Sequence, residues 1–274
     1  MKQSKKLNRV GISVILGVAL MIGAVPAKVE AVSEGTIQLG NIIGNALTTV
    51  VRGLVQGQIK SVGDALKMAA VGGAAGYGFY QAKNMVASGH ITTGMALANL
   101  SASVSENVAL GQHPLAYIGY NIGFSRIRVA TPLAKNPAAI INFDVSARDI
   151  VSTVMAIKHA DGFAFKGGLF TFTAKESYSG KAIGWTFGPY ATVLEGTDDS
   201  VIGHEAVHVV QNLQIMAASP YEPLMRNTSR NTKLFGFSGI RLDTLSIVND
   251  LAMGAQDYRS QWKELEAFQL AGNK

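Results

Sequence analysis

Val201-Ile202-Gly203-His204-Glu205-Ala206-Val207-His208-Val209-Val210-Gln211 carries two histidines four residues apart, with a glutamate directly after the first. Positions four apart share one face of an α-helix, so on a helix both imidazoles can meet a single ion. Glu205, one residue beyond the first imidazole, is then placed to hold and deprotonate a water at that ion. His-Glu-x-x-His in this setting is the two-ligand core of a zinc site. Without a metal or other partners, burying two imidazoles beside a carboxylate would be costly. The flanks fit a helix. Thr197-Asp198-Asp199-Ser200 offers several N-caps, and Val201, Ile202, Ala206, Val207, Val209, Val210, Leu213 and Met216 form a broad apolar face.

The start of the chain bears on where such a site would operate. Lys2, Lys5, Lys6 and Arg9 precede an apolar run from Val10 to Val25 that ends in small residues, the pattern of a secretory signal. Val25-Pro26-Ala27 and Val29-Glu30-Ala31 both satisfy the small-residue rule for cleavage. Residues 1–27 are therefore expected to be a signal peptide, with cleavage after residue 31 as the alternative and an uncleaved anchor as another. An exported protein of the periplasm or cell envelope, or a secreted one, is the expectation. Residues 1–27 carry four of the 24 basic side chains and none of the 18 acidic ones, so without them the net charge falls from +6 to +2. That balance gives no support for a nucleic-acid partner. The absence of cysteine excludes a disulfide framework, a thiolate-ligated metal and a lipoprotein anchor.

Residues 35–115 form a Gly/Ala-rich region that reads as helical. Helices are expected over Thr36–Val51, Ser61–Val86 and Thr93–Ala109, with glycines four apart at Gly40 and Gly44, Gly53 and Gly57, and Gly72 and Gly76. Such spacing leaves a groove for the close approach of another backbone, because intrinsic propensity alone disfavours so many glycines in a helix. A tightly packed hairpin meets this requirement, and so does membrane association through residues 35–110. Arg52, Lys60, Asp64, Lys67 and Lys83 interrupt every long apolar span there.

The centre turns toward strands. Tyr117–Val129, Phe163–Ala174 and Ala182–Leu194 hold alternating, β-branched and aromatic positions separated by Gly, Pro and Asn, and Ile150–His159 reads as a short helix between them. Trp185–Thr192, just before the motif, is a candidate substrate-aligning strand, because an extended peptide can add to a sheet edge. Its aromatic residues fit a core equally well.

The motif segment resembles the active helix of zincin-type metallopeptidases, in particular small bacterial ones in which His-Glu-x-x-His is followed by an apolar pair and a glutamine. The segment Tyr258-Arg259-Ser260-Gln261-Trp262-Lys263-Glu264-Leu265-Glu266-Ala267-Phe268 is similar to the later helix of such proteins, where a glutamate before alanine completes the zinc site. The resemblance covers about residues 182–270. It implies a gluzincin-like set in which His204, His208 and Glu266 hold Zn2+, with Glu264 and Glu222 as substitutes for the third ligand and a solvated helix charge as the plainer account of Glu266. It further implies an α+β fold: a zincin-like catalytic domain over residues 116–274, with a small β-sheet and an active-site helix, following the Gly/Ala-rich helical region.

The expected activity is zinc-dependent hydrolysis of a peptide or protein substrate, with Glu205 as catalytic base. Asp243 or Asp250 could orient a ligand histidine, and His90, His113 and His159 could join the metal only in a nonstandard fold. No His-x-x-Gly-x-x-His follows the motif, so a metzincin pattern is absent. The alternative function is noncatalytic, an envelope or interaction protein stabilised by zinc. A membrane-active protein built on the glycine-spaced helices is a third reading.

Overall fold

The computed structural model describes residues 33–135, 137, 139–177, 182–219, 223–226, 234–243 and 261–272. The expected signal segment and its cleavage sites lie outside these residues, as do Glu222 and Asp250.

The described residues form a mixed α+β structure of six helices and two small mixed sheets. Three helices come first: α1 (Glu34–Val55), α2 (Val62–Ala87) and α3 (Ile91–Ala109). Ser33 caps α1 by accepting from the Thr36 amide, and Ser61 with Asp64 forms a reciprocal capping box on α2. The glycine spacing has a specific use in the α1–α2 contact. A Cβ on Gly76 would lie 2.9 Å from both the Asn41 carbonyl carbon and the Asn45 Cβ, and closer still to the Asn41 carbonyl oxygen. One on Gly72 would meet the Thr49 side chain at 2.7 Å. Gly40 and Gly44, by contrast, face open space. Among the described residues no helix is long and apolar enough to cross a membrane.

The strands are β1 (Tyr117–Ile122), β2 (Ser125–Ala130), β3 (Ile141–Ser146), β4 (Gly162–Lys166), β5 (Leu169–Ala174), β6 (Gly184–Phe187), β7 (Tyr190–Leu194), β8 (Pro223–Arg226) and β9 (Phe235–Arg241). Helix α4 (Ala147–His159) follows β3, α5 (Asp199–Ala218) follows β7, and α6 (Trp262–Ala271) comes last. Each of the three expected strand segments is a hairpin rather than one strand. In the second, Gly167 and Gly168 both take positive φ, which a tight two-residue hairpin turn demands. One sheet has the order β1-β2-β3-β9-β8, with β3 and β9 parallel; the other runs β4-β5-β7-β6, with β5 and β7 parallel and β6 at its edge.

The first sheet is inverted in polarity. Arg126, Asp144 and Arg241 point inward and are buried, while Ile118, Val129, Phe143 and Phe235 are exposed on the other face. Inside, Arg126 pairs with Glu106 at 3.0 Å, and Asp144 takes Arg128 at 2.8 Å and Arg241 at 2.6 Å. Helix α1 follows the same rule, burying Asn41, Asn45, Thr49 and Arg52 while exposing Leu39 and Ile43. Such a polar interior is tolerated only because its members pair with one another.

The apolar core lies elsewhere, around α5. Phe79 and Val86 of α2, Met95 and Ala98 of α3, Leu169 of β5, Ala191 of β7, and Val207, Val210 and Leu213 of α5 form one cluster with Ala267 of α6. The glycine-rich helices and the strand-rich remainder therefore share a core, with the His-Glu-x-x-His helix at its centre.

Candidate metal centre

Helix α5 starts where Asp198 accepts from the Ser200 amide at 2.7 Å, which selects one cap among the four polar residues there. From this start His204 and His208 project from one face toward α6. Their Nε2 atoms are 3.1 Å apart. Each is also 3.3 Å from one oxygen of Glu264, Oε2 for His204 and Oε1 for His208. All three side chains are buried, and the three donors could hold a metal ion. The His204 ring packs on Phe268 with centroids 4.7 Å apart, and its Nδ1 has no hydrogen-bond partner among the described residues.

The third member of the cluster is thus Glu264, which corrects the expectation of Glu266. Residues two apart on α6 point in well-separated directions, so one short helix cannot aim both carboxylates at the same point. Glu266 turns instead toward the glycine-rich helices. It receives Lys83 Nζ at 2.9 and 2.8 Å on its two oxygens, Asn41 Nδ2 at 2.6 Å and Gln211 Nε2 at 2.7 Å. It is not a solvated charge either. Burial would lift its carboxyl, but the Lys83 charge and these hydrogen bonds outweigh burial and hold it below the usual carboxylate range.

Glu205 sits under the edge strand β6. Thr186 donates to its Oε2 at 2.7 Å and to its backbone carbonyl at 3.1 Å. Gly184 passes so near that a Cβ there would lie 2.8 Å from Glu205 Oε1. Burial lifts the Glu205 carboxyl above its ordinary value, against the pull of His208, Thr186 and His204. For His208, burial disfavours the charged ring, but the bond to Glu264 and the charges of Glu205 and Glu264 prevail and raise its pKa. A carboxylate made more basic by burial, next to a two-imidazole and one-carboxylate donor set, has the makings of a proton acceptor.

The other sequence candidates are not in this cluster. Asp243 lies 3.7 Å from Arg241, and His113 Nδ1 accepts from the Leu115 amide at 3.2 Å. His90 precedes α3 without capping it, and the His159 ring stands 6.4 Å from that of Phe187. Among the described residues His204, His208 and Glu264 are the one group of three or more such side chains close enough to hold an ion. The candidate aligning segment Trp185–Thr192 divides into β6, a turn and β7, and the β6 part borders Glu205.

Four residues around the centre had no assigned role in the sequence: Gln211, Thr186, Lys83 and Asn41. Lys83 left a signal, since a lysine amid the apolar and small residues of a long helix is rarely buried unless paired. Gln211 lies one turn beyond His208, within reach of its ring. Comparison with protein-family models, with curated proteins and with solved structures found no match.

Proposed function

We propose that the chain is a zinc-dependent peptide hydrolase of zincin type, acting outside the cytoplasm, with His204, His208 and Glu264 as metal ligands and Glu205 as general base. The observation that carries the reading is the spacing of the donors. Ligands about 2.0–2.1 Å from a tetrahedral zinc stand roughly 3.3 Å from one another. The two imidazole Nε2 atoms are 3.1 Å apart, and each has a Glu264 oxygen at 3.3 Å, Oε2 for His204 and Oε1 for His208. One donor atom from each of the three residues lies within 4.8 Å of the other two. A His2Glu set leaves one coordination position for water or substrate.

Zinc held there supplies a Lewis acid that polarises a carbonyl and lowers the pKa of water toward neutrality. The protein's own residues do the rest. Glu205 accepts the proton of the attacking water through one carboxylate oxygen while Thr186 holds the other, and it returns that proton to the departing amine. Strand β6, bordering Glu205, is the element against which an extended peptide would align. Glu264 bridges the two imidazoles and ties α6 to α5.

Burial of His204, Glu205, His208 and Glu264 supports a second reading, in which the metal is a clasp between α5 and α6 and the chain is a noncatalytic envelope or interaction protein. One experiment separates the two. Zinc content and cleavage of a diverse peptide library are measured for the wild type, Glu205→Gln and Glu264→Gln. Hydrolysis requires that Glu205→Gln keep zinc and lose turnover by roughly 100-fold or more, and that Glu264→Gln lose both. A wild type that binds zinc and cleaves nothing under the same conditions favours the clasp. A wild type that binds no zinc rejects both.

A further inference from the structure

We infer that Lys83 and Asn41, in the glycine-rich helices, orient the metal ligand His208 by a hydrogen-bond chain through Glu266 and Gln211, making those helices part of the metal centre. The inference rests on the His204–His208–Glu264 site proposed above and assigns a task to four residues outside it.

The direction of every bond in the chain is forced. Lys83 Nζ has three hydrogens and three acceptors: Glu266 Oε1 at 2.9 Å, Glu266 Oε2 at 2.8 Å and Asn41 Oδ1 at 2.7 Å. Asn41 must therefore present its amide nitrogen to Glu266 Oε1, at 2.6 Å, and to the Ile37 carbonyl, at 2.9 Å. Glu266 Oε2 and the Lys263 carbonyl, both pure acceptors, lie 2.7 and 3.0 Å from Gln211 Nε2. A flipped Gln211 would set its oxygen against both, so Gln211 Oε1 must face His208. His208 Nδ1 lies 2.8 Å from that oxygen, which can only accept. The neutral imidazole is thereby held with its proton on Nδ1, because the Gln211 contact at 2.8 Å is shorter than the 3.3 Å contact to Glu264. Nε2, which bears a proton toward Glu264 only in the charged ring, then offers its lone pair on the side of His204 and Glu264.

Partners of this kind, on the far side of a ligand imidazole, fix tautomer and ring orientation and are typically worth 10–100-fold in metal affinity. Here the partner is a neutral amide, and its own orientation depends on a buried ion pair reaching across from α2. Lys83 and Glu266 are otherwise hard to account for, since a buried ion pair is weak evidence for stability and is often replaceable by apolar residues at no cost.

The test reads the tautomer and the affinity separately. Long-range nitrogen–proton NMR spectra of the full-length metal-free protein, in alkaline buffer where imidazole is neutral, should show His208 as the Nδ1–H tautomer. Gln211→Met should give a mixture of tautomers, and its zinc affinity, measured by chelator competition, should fall 10–100-fold. The double variant Lys83→Met with Glu266→Met removes both charges together and so avoids stranding either one. It should keep its helical circular dichroism yet show tautomer mixing and an affinity loss of about 10-fold. An Nε2–H tautomer in the wild type overturns the inference. So does a Gln211→Met protein, or a folded double variant, whose zinc affinity stays within about twofold of wild type, below the range expected for such partners. A wild type that binds no zinc but holds His208 as Nδ1–H would sink the hydrolase reading and leave the orienting chain supported.

Discussion

A single methyl group tests whether the glycine spacing serves helix packing, because two of the three glycine pairs, Gly40 with Gly44 and Gly72 with Gly76, lie in opposite surroundings. Gly44, in the interior of α1, is exposed and has nothing within 4 Å of where a Cβ would stand. Alanine there adds only helix propensity, a stabilisation of about 0.8–1.0 kcal/mol. Gly76, in α2, gains the same propensity, but its Cβ would fall 2.9 Å from the Asn41 carbonyl carbon and 2.9 Å from Asn45 Cβ. Ordinary contact lies near 3.5–4.0 Å. Two of the obstacles are main-chain atoms, so no rotamer change relieves the clash, and α1 must move away by roughly half an ångström or more. Overpacking of this kind costs about 1–3 kcal/mol, and occasionally more. The shift would also disturb Asn45, whose amide donates to the Gly72 carbonyl at 2.7 Å and to Ser105 at 2.9 Å. A clash with main-chain atoms belongs at the upper end of that range, about 3 kcal/mol, so after the propensity gain of about 1 kcal/mol Gly76→Ala should lose about 2 kcal/mol net, and Gly44→Ala should gain about 1 kcal/mol. In thermal unfolding the first shift corresponds to a Tm lower by about 4–8 °C. Equal stabilisation by both alanines would refute the α1–α2 packing and leave the glycine spacing without a structural reason.

Asp149 carries a pH signature. Burial lifts its carboxyl from 3.8 to about 6, opposed by Arg148 and Arg241 and reinforced by Asp243. The folded state thus holds a proton that the unfolded state has released, so this residue's contribution is greatest below its unfolded pKa and is lost as pH rises through about 6. Asp149→Asn should match wild-type stability near pH 4 and exceed it by on the order of 2–3 kcal/mol at pH 7 in urea unfolding; a constant difference across that range would count against the shift. At the centre, Gly184→Ala should crowd Glu205 Oε1 without touching a metal ligand. Turnover should drop by about 10–100-fold at unchanged zinc content, as expected when a reacting group is displaced, and a variant as active as wild type would remove β6 from the account of Glu205.

Local spacing was enough to set the two imidazoles and Glu205 on one helix, because four-residue periodicity is a property of the helix itself. The same holds for the helices expected over Thr36–Val51, Ser61–Val86 and Thr93–Ala109, which the structure bounds at Glu34–Val55, Val62–Ala87 and Ile91–Ala109, and for the turns that close three hairpins. Other features were settled by residues far apart in the chain. Strand β9 pairs in parallel with β3 across more than ninety residues, and both bury charge, so neither shows the apolar-in alternation that identifies a half-buried strand. The inward faces of α1 and of the first sheet were illegible for the same reason. Burying Asn41, Arg126 or Asp144 is favourable only once Lys83, Glu106 and Arg241 are in place. The choice between Glu264 and Glu266 was of this kind too. Both lie on one short helix in nearly identical local sequence, and what separates them is the approach of Lys83 and Asn41 from another part of the chain. Those two draw Glu266 to themselves and leave Glu264 to face the histidines.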